Sequence, residues 1–421
     1  MNVTLPIWAL AGLVLLIAFL LVLIWSSRRT LIRQVKPVSL EGVDELLPIL
    51  AALTGERLTE GNRVDVLQDG EFFDALEADI ELAEHSIHYE TYVWWRGDIV
   101  RDFARRLADR ARQGVQVRIL LDAQGSLLME REVLETLEAG GCEVAYFHPL
   151  RLRDIGKYNS RDHRKLAVID GRVAHFMGHG MAREWCPESR GGEGWRDTAV
   201  RVLGPAVSSA QAVFLRSWLN VHGELAVDPR HFPDLEPAGD ARLHIAESDP
   251  VGTYSEVEVL IKVAIATARE RILIQNPYFV PDDSVVELLG EAVDRGVEVR
   301  IVLPRVNDSR VVRHASHKFY GPLLRRGARI WEYQPVFAHQ KVMVVDDCWS
   351  QVGSTNFDSR SMQINREVTV SIVDRGVAEE LTAAFEQDLK ASVEVTYQSW
   401  RSRHPIKRLG DNLAYLLREQ L

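Results

Sequence analysis

Residues 163–170 read His-Arg-Lys-Leu-Ala-Val-Ile-Asp, and residues 339–346 read His-Gln-Lys-Val-Met-Val-Val-Asp. Each stretch has a histidine, a lysine two positions later and a closing aspartate. An apolar, β-branched run follows each lysine, which predicts a buried strand. Side chains two positions apart in a strand point to the same face, so each copy places an imidazole beside an ammonium group. Single histidines and lysines in strands are usually structural, but repetition of the whole pattern indicates a shared role.

The residue types of this repeated motif fit the transfer of a phosphoryl group. An imidazole can attack or donate a proton near neutral pH, and a lysine can hold phosphate oxygens. The sequence therefore predicts a phosphoryl-transfer site where the two faces meet, with His163, Lys165, His339 and Lys341 as its catalytic residues.

The segments around the two motifs repeat one order of predicted helices and strands. A helix from Phe72 to Glu84 precedes a strand that begins at Ser86, and a helix from Val257 to Ala268 precedes a strand that begins at Arg271. Later helices in both halves end at glycines such as Gly141. We therefore expect an α/β fold of two similar halves, over residues 61–227 and 241–400, joined by a linker at 228–240 that is rich in Pro and Asp.

The two ends of the chain suggest contact with a membrane. Residues 6–25 form a nearly continuous apolar run that would span about 30 Å as a helix, and Arg28, Arg29, Arg33 and Lys36 follow it. This charge pattern predicts a retained transmembrane anchor at 1–27, a connector at 28–60 and a catalytic region in the cytoplasm. Residues 401–421 predict an amphipathic helix, which either lies on a membrane surface or packs against its own domain.

Composition narrows the classes of function. The formal net charge of −10 and the pI near 5.8 argue against a nucleic-acid partner, although they allow a local basic cleft. Cys142, Cys186 and Cys348 show no metal-binding or disulfide spacing. His314 and His317 stand at helical spacing without a further ligand pattern, so no metal or cofactor is predicted.

The motifs and their surroundings resemble the phospholipase D superfamily, whose signature is His-x-Lys-x4-Asp-x6-Gly-Ser-x-Asn, used twice per active site. The second copy matches this signature through Gly353, Ser354 and Asn356. Several neighbouring segments resemble the bacterial cardiolipin synthase branch: residues 159–165, 195–198, 276–282, 356–361 and 365–367. The resemblance extends from about Gly61 to about Trp400, and it implies a pair of α/β sandwich halves.

This resemblance also implies roles for individual residues. One histidine attacks phosphorus to form a phosphohistidine, and the other protonates the leaving alcohol and later deprotonates the acceptor. By analogy with relatives, His163 is the expected nucleophile and His339 the acid and base. Lys165 and Lys341, helped by Ser354 and Asn356, would bind phosphate oxygens without a metal. Two acids are expected to orient the histidines. Glu367 occupies the family position for one of them, and Asp197 is the candidate in the first half, where it would pair with His163. Asp170 and Asp346 complete the motif, and hydrogen-bond anchoring is the preferred interpretation of both.

The first copy departs from the signature after Asp170. Residues 177–180 read Met-Gly-His-Gly, so Gly180 replaces the expected asparagine and His179 offers a possible extra donor. The resulting hypothesis is a cardiolipin synthase-like phosphatidyltransferase at the bacterial inner (cytoplasmic) membrane. It would move a phosphatidyl group from one anionic phospholipid, phosphatidylglycerol, to the glycerol-type acceptor of another through a phosphohistidine, with release of glycerol. A phospholipase D that uses water or another alcohol remains an alternative. A nuclease fits less well because the chain is acidic, and a catalytically silent lipid-binding scaffold fits less well because both His/Lys pairs are retained.

Overall fold

The computed structural model describes residues 7–25, 48, 58–149, 159–225, 228–249 and 255–421. The N-terminal helix α1 covers Ile7–Trp25. Within this described part of the chain, no helix is both long and apolar enough to cross a bilayer, so the transmembrane anchor stays a prediction. Apart from Pro48 and residues 58–60, the predicted connector at 28–60 lies outside the described residues.

The two halves contain matching series of helices and strands. The first half contains β1 (Thr59–Gln68), α2 (Glu71–Leu82), β2 (Ser86–Thr91), α3 (Asp98–Arg112), β3 (Gln116–Asp122), α4 (Arg131–Gly140), β4 (Glu143–Phe147), β5 (Lys165–Ile169), β6 (Val173–Met177), β7 (Thr198–Leu203) and α5 (Val207–His222). The second half contains β8 (Ala241–Ser248), α6 (Glu256–Thr267), β9 (Arg271–Gln275), β10 (Phe279–Val280), α7 (Asp283–Asp294), β11 (Glu298–Pro304), α8 (Arg310–Arg326), β12 (Arg329–Tyr333), β13 (Val342–Val345), β14 (Trp349–Gly353), β15 (Phe357–Asp358), α9 (Ser359–Gln363), β16 (Glu367–Val373) and α10 (Arg375–Lys390). The chain continues through β17 (Ser392–Val395), α11 (Tyr397–Arg401) and α12 (Pro405–Tyr415).

Local sequence explains where several of these helices begin and end. The Ser309 side chain accepts a hydrogen bond from the amide of Val312 and so caps the start of α8. Gly141 and Gly327 follow α4 and α8 at φ values of 92° and 110°, which glycine adopts at little cost. The glycine helix ends expected from the sequence are thus confirmed at these two positions.

Strand order confirms that the α/β pattern is duplicated. The first half runs β1-β7-β6-β5-β2-β3-β4, and the second runs β8-β16-β14-β13-β9-β11-β12, with β17 beyond β12. In both halves the three outer strands are parallel, for example β2 with β3 and β9 with β11. The antiparallel pairing of β1 with β8 joins the halves into one fifteen-stranded sheet.

The apolar core has an inner and two outer parts. The inner core draws side chains from both halves, including Phe214 of α5 and Phe385 of α10. One outer core lies under α2, α3 and α4, and the other lies under α6, α7 and α8. Because the inner core is shared, the two halves are packed against each other and their motif strands approach one another.

Candidate active site

One pocket brings the two motifs together. It has a volume of 610 Å³, and both His163 and His339 line it. Tyr92 and Gln124, which follow the parallel strands β2 and β3, contribute to its wall. In the second half Tyr278 and Asp308 follow β9 and β11 and do the same. The pocket therefore lies at the carboxyl ends of the parallel strands, where α/β sheets commonly bind ligands.

The side chain of His163 is held by an acid from the second half. Its Nδ1 lies 3.0 Å from each carboxylate oxygen of Glu367, and the Glu367 side chain is fully buried. A carboxylate accepts a hydrogen bond, so Nδ1 carries the proton and the lone pair is left on Nε2. Burial lowers the pKa of His163, with Glu367 opposing this effect. The ring is therefore neutral at physiological pH and suited to nucleophilic attack.

The side chain of His339 is held by an acid from the first half. Its Nδ1 lies 2.8 Å from Oδ2 of Asp197. Asp197 also accepts hydrogen bonds from Trp185 Nε1 and from the amide of Thr198, both at 2.9 Å. Burial lowers the pKa of His339 to about 3, and Lys341 acts in the same direction. Although burial alone would raise it, His179, Lys341 and His339 hold the pKa of Asp197 below its usual range.

The orienting acids are thus exchanged between the halves, which corrects the expected pairing of Asp197 with His163. The backbone shows the same exchange: the His163 amide donates to Arg366 O at 2.9 Å, and the His339 amide donates to Arg196 O at 2.7 Å. Arg196 and Arg366 each directly precede the acid. A second correction follows, since β5 begins at Lys165 and β13 begins at Val342. The histidines precede these strands because their amides bind the opposite half.

Both motif lysines are buried next to their own histidines. Lys165 Nζ donates to His163 O at 2.8 Å, and Lys341 Nζ lies 2.9 Å from His339 Nδ1. Burial lowers the pKa of Lys165 to about 7 and that of Lys341 to about 8. Lys165 lines the pocket, whereas Lys341 lies behind the His339 ring. A bound phosphate would favour the charged form of both lysines.

Ser354 and Asn356 occupy different places relative to the pocket. The Ser354 hydroxyl donates to Glu367 and also contacts the backbone of Val368, so it positions the carboxylate that holds His163. Asn356 lines the pocket, and its buried Oδ1 has no hydrogen-bond partner among the described residues. The geometry makes Ser354 an orienting residue and leaves the Asn356 amide available to a substrate.

The closing aspartates of the motifs bind backbone rather than the pocket. The Asp170 carboxylate accepts from the amides of Glu84, His85 and Ser86 at 2.7 Å. The Asp346 carboxylate accepts from the amides of Arg269, Glu270 and Arg271 at 2.7–3.0 Å. These bonds tie the far ends of β5 and β13 to the starts of β2 and β9. The geometry fits the anchoring interpretation rather than a direct role in chemistry.

The departure at Gly180 has a steric explanation. A Cβ at Gly180 would lie 2.6 Å from Val93 Cβ and 2.9 Å from Trp185 Cζ3, and one at Gly178 would lie 2.2 Å from Asp197 Oδ1. His179 is buried, stacks on Phe72 and binds Asp69 O through Nε2 at 3.1 Å. It therefore packs in the first half and does not line the pocket.

The family resemblance put the turn with Tyr278 near the active cleft, but the sequence did not identify the other aromatic and cationic walls of the pocket. The His163 ring lies 5.0 Å from the ring of Tyr92. Four aromatic rings surround His339 at 5.1–6.2 Å: Trp185, Trp195, Tyr278 and Phe337. Arg161 and Arg360 add positive charge to the lining. Position in the sequence could have identified two of these residues, because Trp195 lies two residues before Asp197 and Tyr92 directly follows β2.

Comparisons with known proteins agree with this geometry. A family model described as "Cardiolipin synthase, PLD-like domain" matches residues 76–182 and 261–389. The major cardiolipin synthase ClsA of Bacillus subtilis (strain 168) is 35% identical over 363 residues, which cover 85% of this chain and 75% of that protein. The cardiolipin synthase of Listeria welshimeri serovar 6b is 34% identical over 363 residues, with the same coverage of 85% and 75%.

A solved structure shows the same fold at low identity. The phosphatidylserine synthase of Haemophilus influenzae Rd KW20 matches with a TM-score of 0.68 and 13% identity, over 89% of this chain and 100% of that one. The family model matches more than half of the chain, and relatives exceed 30% identity over most of its length. This chain therefore belongs to the cardiolipin synthase family of the phospholipase D superfamily.

Proposed function

We propose that the protein makes cardiolipin by moving a phosphatidyl group from one phosphatidylglycerol to another, with release of glycerol. One observation carries the proposal: His163, Lys165 and His339 line one pocket, Lys341 contacts the His339 ring, and a carboxylate from the opposite half orients each histidine. Such a pair supplies a nucleophile and a general acid, while the lysines supply positive charge for the nonbridging oxygens.

The proposed reaction has two displacements at phosphorus. In the first, Nε2 of one histidine forms a P–N bond as the P–O bond to glycerol breaks. The other histidine becomes protonated on Nε2 when the bound anionic phosphate raises its pKa, and it gives that proton to the departing oxygen. In the second, that histidine takes the proton from a glycerol hydroxyl of the acceptor lipid. The resulting oxygen attacks phosphorus and the P–N bond breaks. His163 as nucleophile and His339 as acid and base remains the order that we propose.

The charge of the pocket supports an anionic lipid as substrate. The chain has a formal net charge of −10, yet Lys165, Arg161 and Arg360 all line this pocket. Asp308 and Asp358 also line it, and burial raises the pKa of both carboxyl groups, which weakens their negative charge. A local cluster of cations in an acidic protein raises the local concentration of an anionic headgroup. The four aromatic rings around His339 give its surroundings an apolar surface, which would favour an alcohol acceptor that brings its own binding surface over water.

We also propose that the N-terminal segment anchors the enzyme in the bacterial inner membrane by a single pass, with the catalytic region in the cytoplasm. The cations from Arg28 to Lys36 after the apolar run support this orientation. Side chains of α1 such as Leu15 and Phe19 are exposed, as expected for contact with lipid. At about 28 Å, α1 is slightly shorter than a bilayer core, so flanking residues would complete the span.

The test is incubation of the purified full-length protein with phosphatidylglycerol labelled in its phosphate, without metal, followed by separation of the products. Cardiolipin with equimolar glycerol is the expected result. Phosphatidic acid as the sole lipid product would replace the transferase with a hydrolase. Protein quenched in alkaline denaturant should carry label on a histidine, because a P–N bond to histidine survives base but not acid.

Variants complete this test. His163→Ala and His339→Ala should each lower transfer by about 10³-fold or more, while His222→Ala, at an exposed site on α5, should leave it unchanged. Label that remains bound in His339→Ala but not in His163→Ala would support His163 as nucleophile. The reverse pattern would exchange the two roles.

A further inference from the structure

The C-terminal helix α12 presents its apolar residues outward. Ile406 is 73% exposed, and Leu409 and Leu413 are each 58% exposed. They recur at helical spacing, so they form one stripe, which Leu416 and Leu417 extend beyond the helix end. Such a stripe normally faces the core of its own domain. Here none of the described residues buries it.

The face of α12 that contacts α8 instead carries the buried Asp411 and Ala414, with Tyr415 packed against Phe319. Asp411 is buried, and its Oδ1 lies 2.8 Å from His314 Nδ1 and 3.6 Å from His317 Nδ1. Its other oxygen lies 2.9 Å from Arg403 Nη1. A rotation that turned the leucines inward would separate Asp411 from these partners and leave buried charges unpaired. The ion-paired cluster therefore fixes the outward direction of the stripe.

More exposed apolar side chains occur beside the pocket. Three segments of the pocket wall carry them, and these segments come from both halves. The exposed pairs are Leu127 with Leu128, Val306 with Val311, and Leu416 with Leu417. Leu127 and Leu128 lie near the wall residue Gln124 in the sequence, and Val306 and Val311 lie on either side of Asp308 and Ser309. Leu416 and Leu417 precede the wall residues Gln420 and Leu421. Exposed apolar side chains thus lie within a few residues of the pocket lining in three separate segments of the chain.

The charge around the stripe favours an anionic surface as its partner. Residues 401–421 contain five basic and two acidic residues, in a chain whose formal net charge is −10. One of the acids, Asp411, is already paired. Leucines flanked by lysine and arginine are typical of helices that lie in the interface of an anionic bilayer.

We propose that α12 with the residues that follow it, the loop at Leu127 and Leu128, and the segment from Val306 to Val311 form a bilayer-docking face around the pocket mouth, which seats the enzyme on anionic phospholipid. The proposal rests on the function proposed above and adds the route by which the lipid enters. The pocket volume of 610 Å³ is in the usual range for small ligands. A headgroup therefore enters the pocket while the acyl chains stay in the bilayer.

The first test compares two presentations of one substrate with the full-length protein. Leu409→Glu/Leu413→Glu should lower transfer on phosphatidylglycerol vesicles at least tenfold and leave transfer on monomeric short-chain phosphatidylglycerol within twofold. Leu82→Glu is the matched control, since Leu82 is 76% exposed. It precedes β2 and so lies at the opposite edge of the sheet from the pocket. Unchanged transfer on vesicles, or an equal loss on both substrates, would overturn the docking face.

The second test needs no turnover. An environment-sensitive dye on Leu413→Cys should be quenched in proteoliposomes by phosphatidylglycerol with spin-labelled acyl chains, whereas the same dye on Leu82→Cys should not. Native cysteines are buried or half-buried, so unsubstituted protein gives the background. A shielded but unquenched dye at 413 would mean that protein covers the stripe, and would refute the proposal. Wild-type protein that makes no cardiolipin in either presentation would refute the proposed function, while quenching would still decide the docking face.

Discussion

Glu367 and His163 belong to opposite halves, 204 positions apart, yet both carboxylate oxygens lie 3.0 Å from Nδ1 of the imidazole. Asp197 makes the reciprocal contact with His339 across 142 positions. Because each half supplies the histidine for one pair and the acid for the other, neither half contains a complete catalytic unit.

Replacement of an orienting acid by its amide should remove most of the activity without unfolding the protein. Glu367→Gln and Asp197→Asn keep the shape but can present an N–H to the imidazole, which favours the wrong tautomer. We expect kcat to fall by about 10²-fold or more, with KM changed much less. Steady-state kinetics on short-chain phosphatidylglycerol measure this split.

Ser354→Ala tests the same contact between Glu367 and His163 with a milder change than Glu367→Gln. It removes one hydrogen bond to Glu367 but leaves the carboxylate, so its effect on kcat should be smaller than that of Glu367→Gln. Equal activity of Glu367→Gln and wild type would show that the His163–Glu367 bond has no part in catalysis.

Asp346→Ala should lower stability rather than the turnover of folded enzyme. The substitution removes an acceptor for three backbone amides and places alanine at a φ of 50°, so we expect a loss of about 2–3 kcal/mol in the free energy of unfolding. Denaturant unfolding followed by circular dichroism measures it. Asp346→Asn, which tolerates this backbone conformation, should lose less. A catalytic role would instead appear as lost turnover at unchanged stability.

Substrate capture should weaken as pH rises from about 7 to 9. Burial lowers the pKa of Lys165 to about 7 and that of Lys341 to about 8 in the free protein, so both lose their charge in this range. Since the ammonium form binds phosphate, kcat/KM should fall with increasing pH. In Lys165→Arg the guanidinium stays charged throughout, so the part of the decline due to Lys165 should disappear. A flat profile for wild type up to pH 9 would contradict these lowered values.

Restoring the asparagine of the family signature in the first copy should harm the protein. In Gly180→Asn the new Cβ would lie 2.6 Å from Val93 Cβ, and movement of Trp185 would disturb its bond to Asp197. We expect lower thermal stability and lower kcat, with Gly180→Ala intermediate. Higher activity in Gly180→Asn would show that the site adapts and that the amide contributes to phosphate binding.

Sequence predicted the fold well where the pattern is local. The helix expected from Phe72 to Glu84 covers Glu71–Leu82, and the one expected from Val257 to Ala268 covers Glu256–Thr267. The duplicated series of elements confirmed the α/β class, because apolar periodicity and helix-ending glycines act over a few residues. Both motif histidines were also correctly placed at one pocket.

Sequence could not predict relations that depend on packing between the halves. The exchange of Asp197 and Glu367 follows from the pairing of β1 with β8, which no local pattern encodes. The outward stripe of α12 was equally hidden, because it depends on the pairing of Asp411 with His314 and His317 of another helix. Amphipathicity reveals that a helix has two faces, whereas tertiary ion pairs decide which face is buried.

Because each histidine is oriented by an acid from the other half, the catalytic pairs can form only after both halves have been synthesised. A nascent chain that has completed only the first half holds His163 without Glu367 and Asp197 without His339. Contacts across 204 and 142 positions carry a large loop-closure cost and form late. Catalytic activity therefore requires that the second half has docked on the first, so a chain that ends after the first half is expected to be inactive.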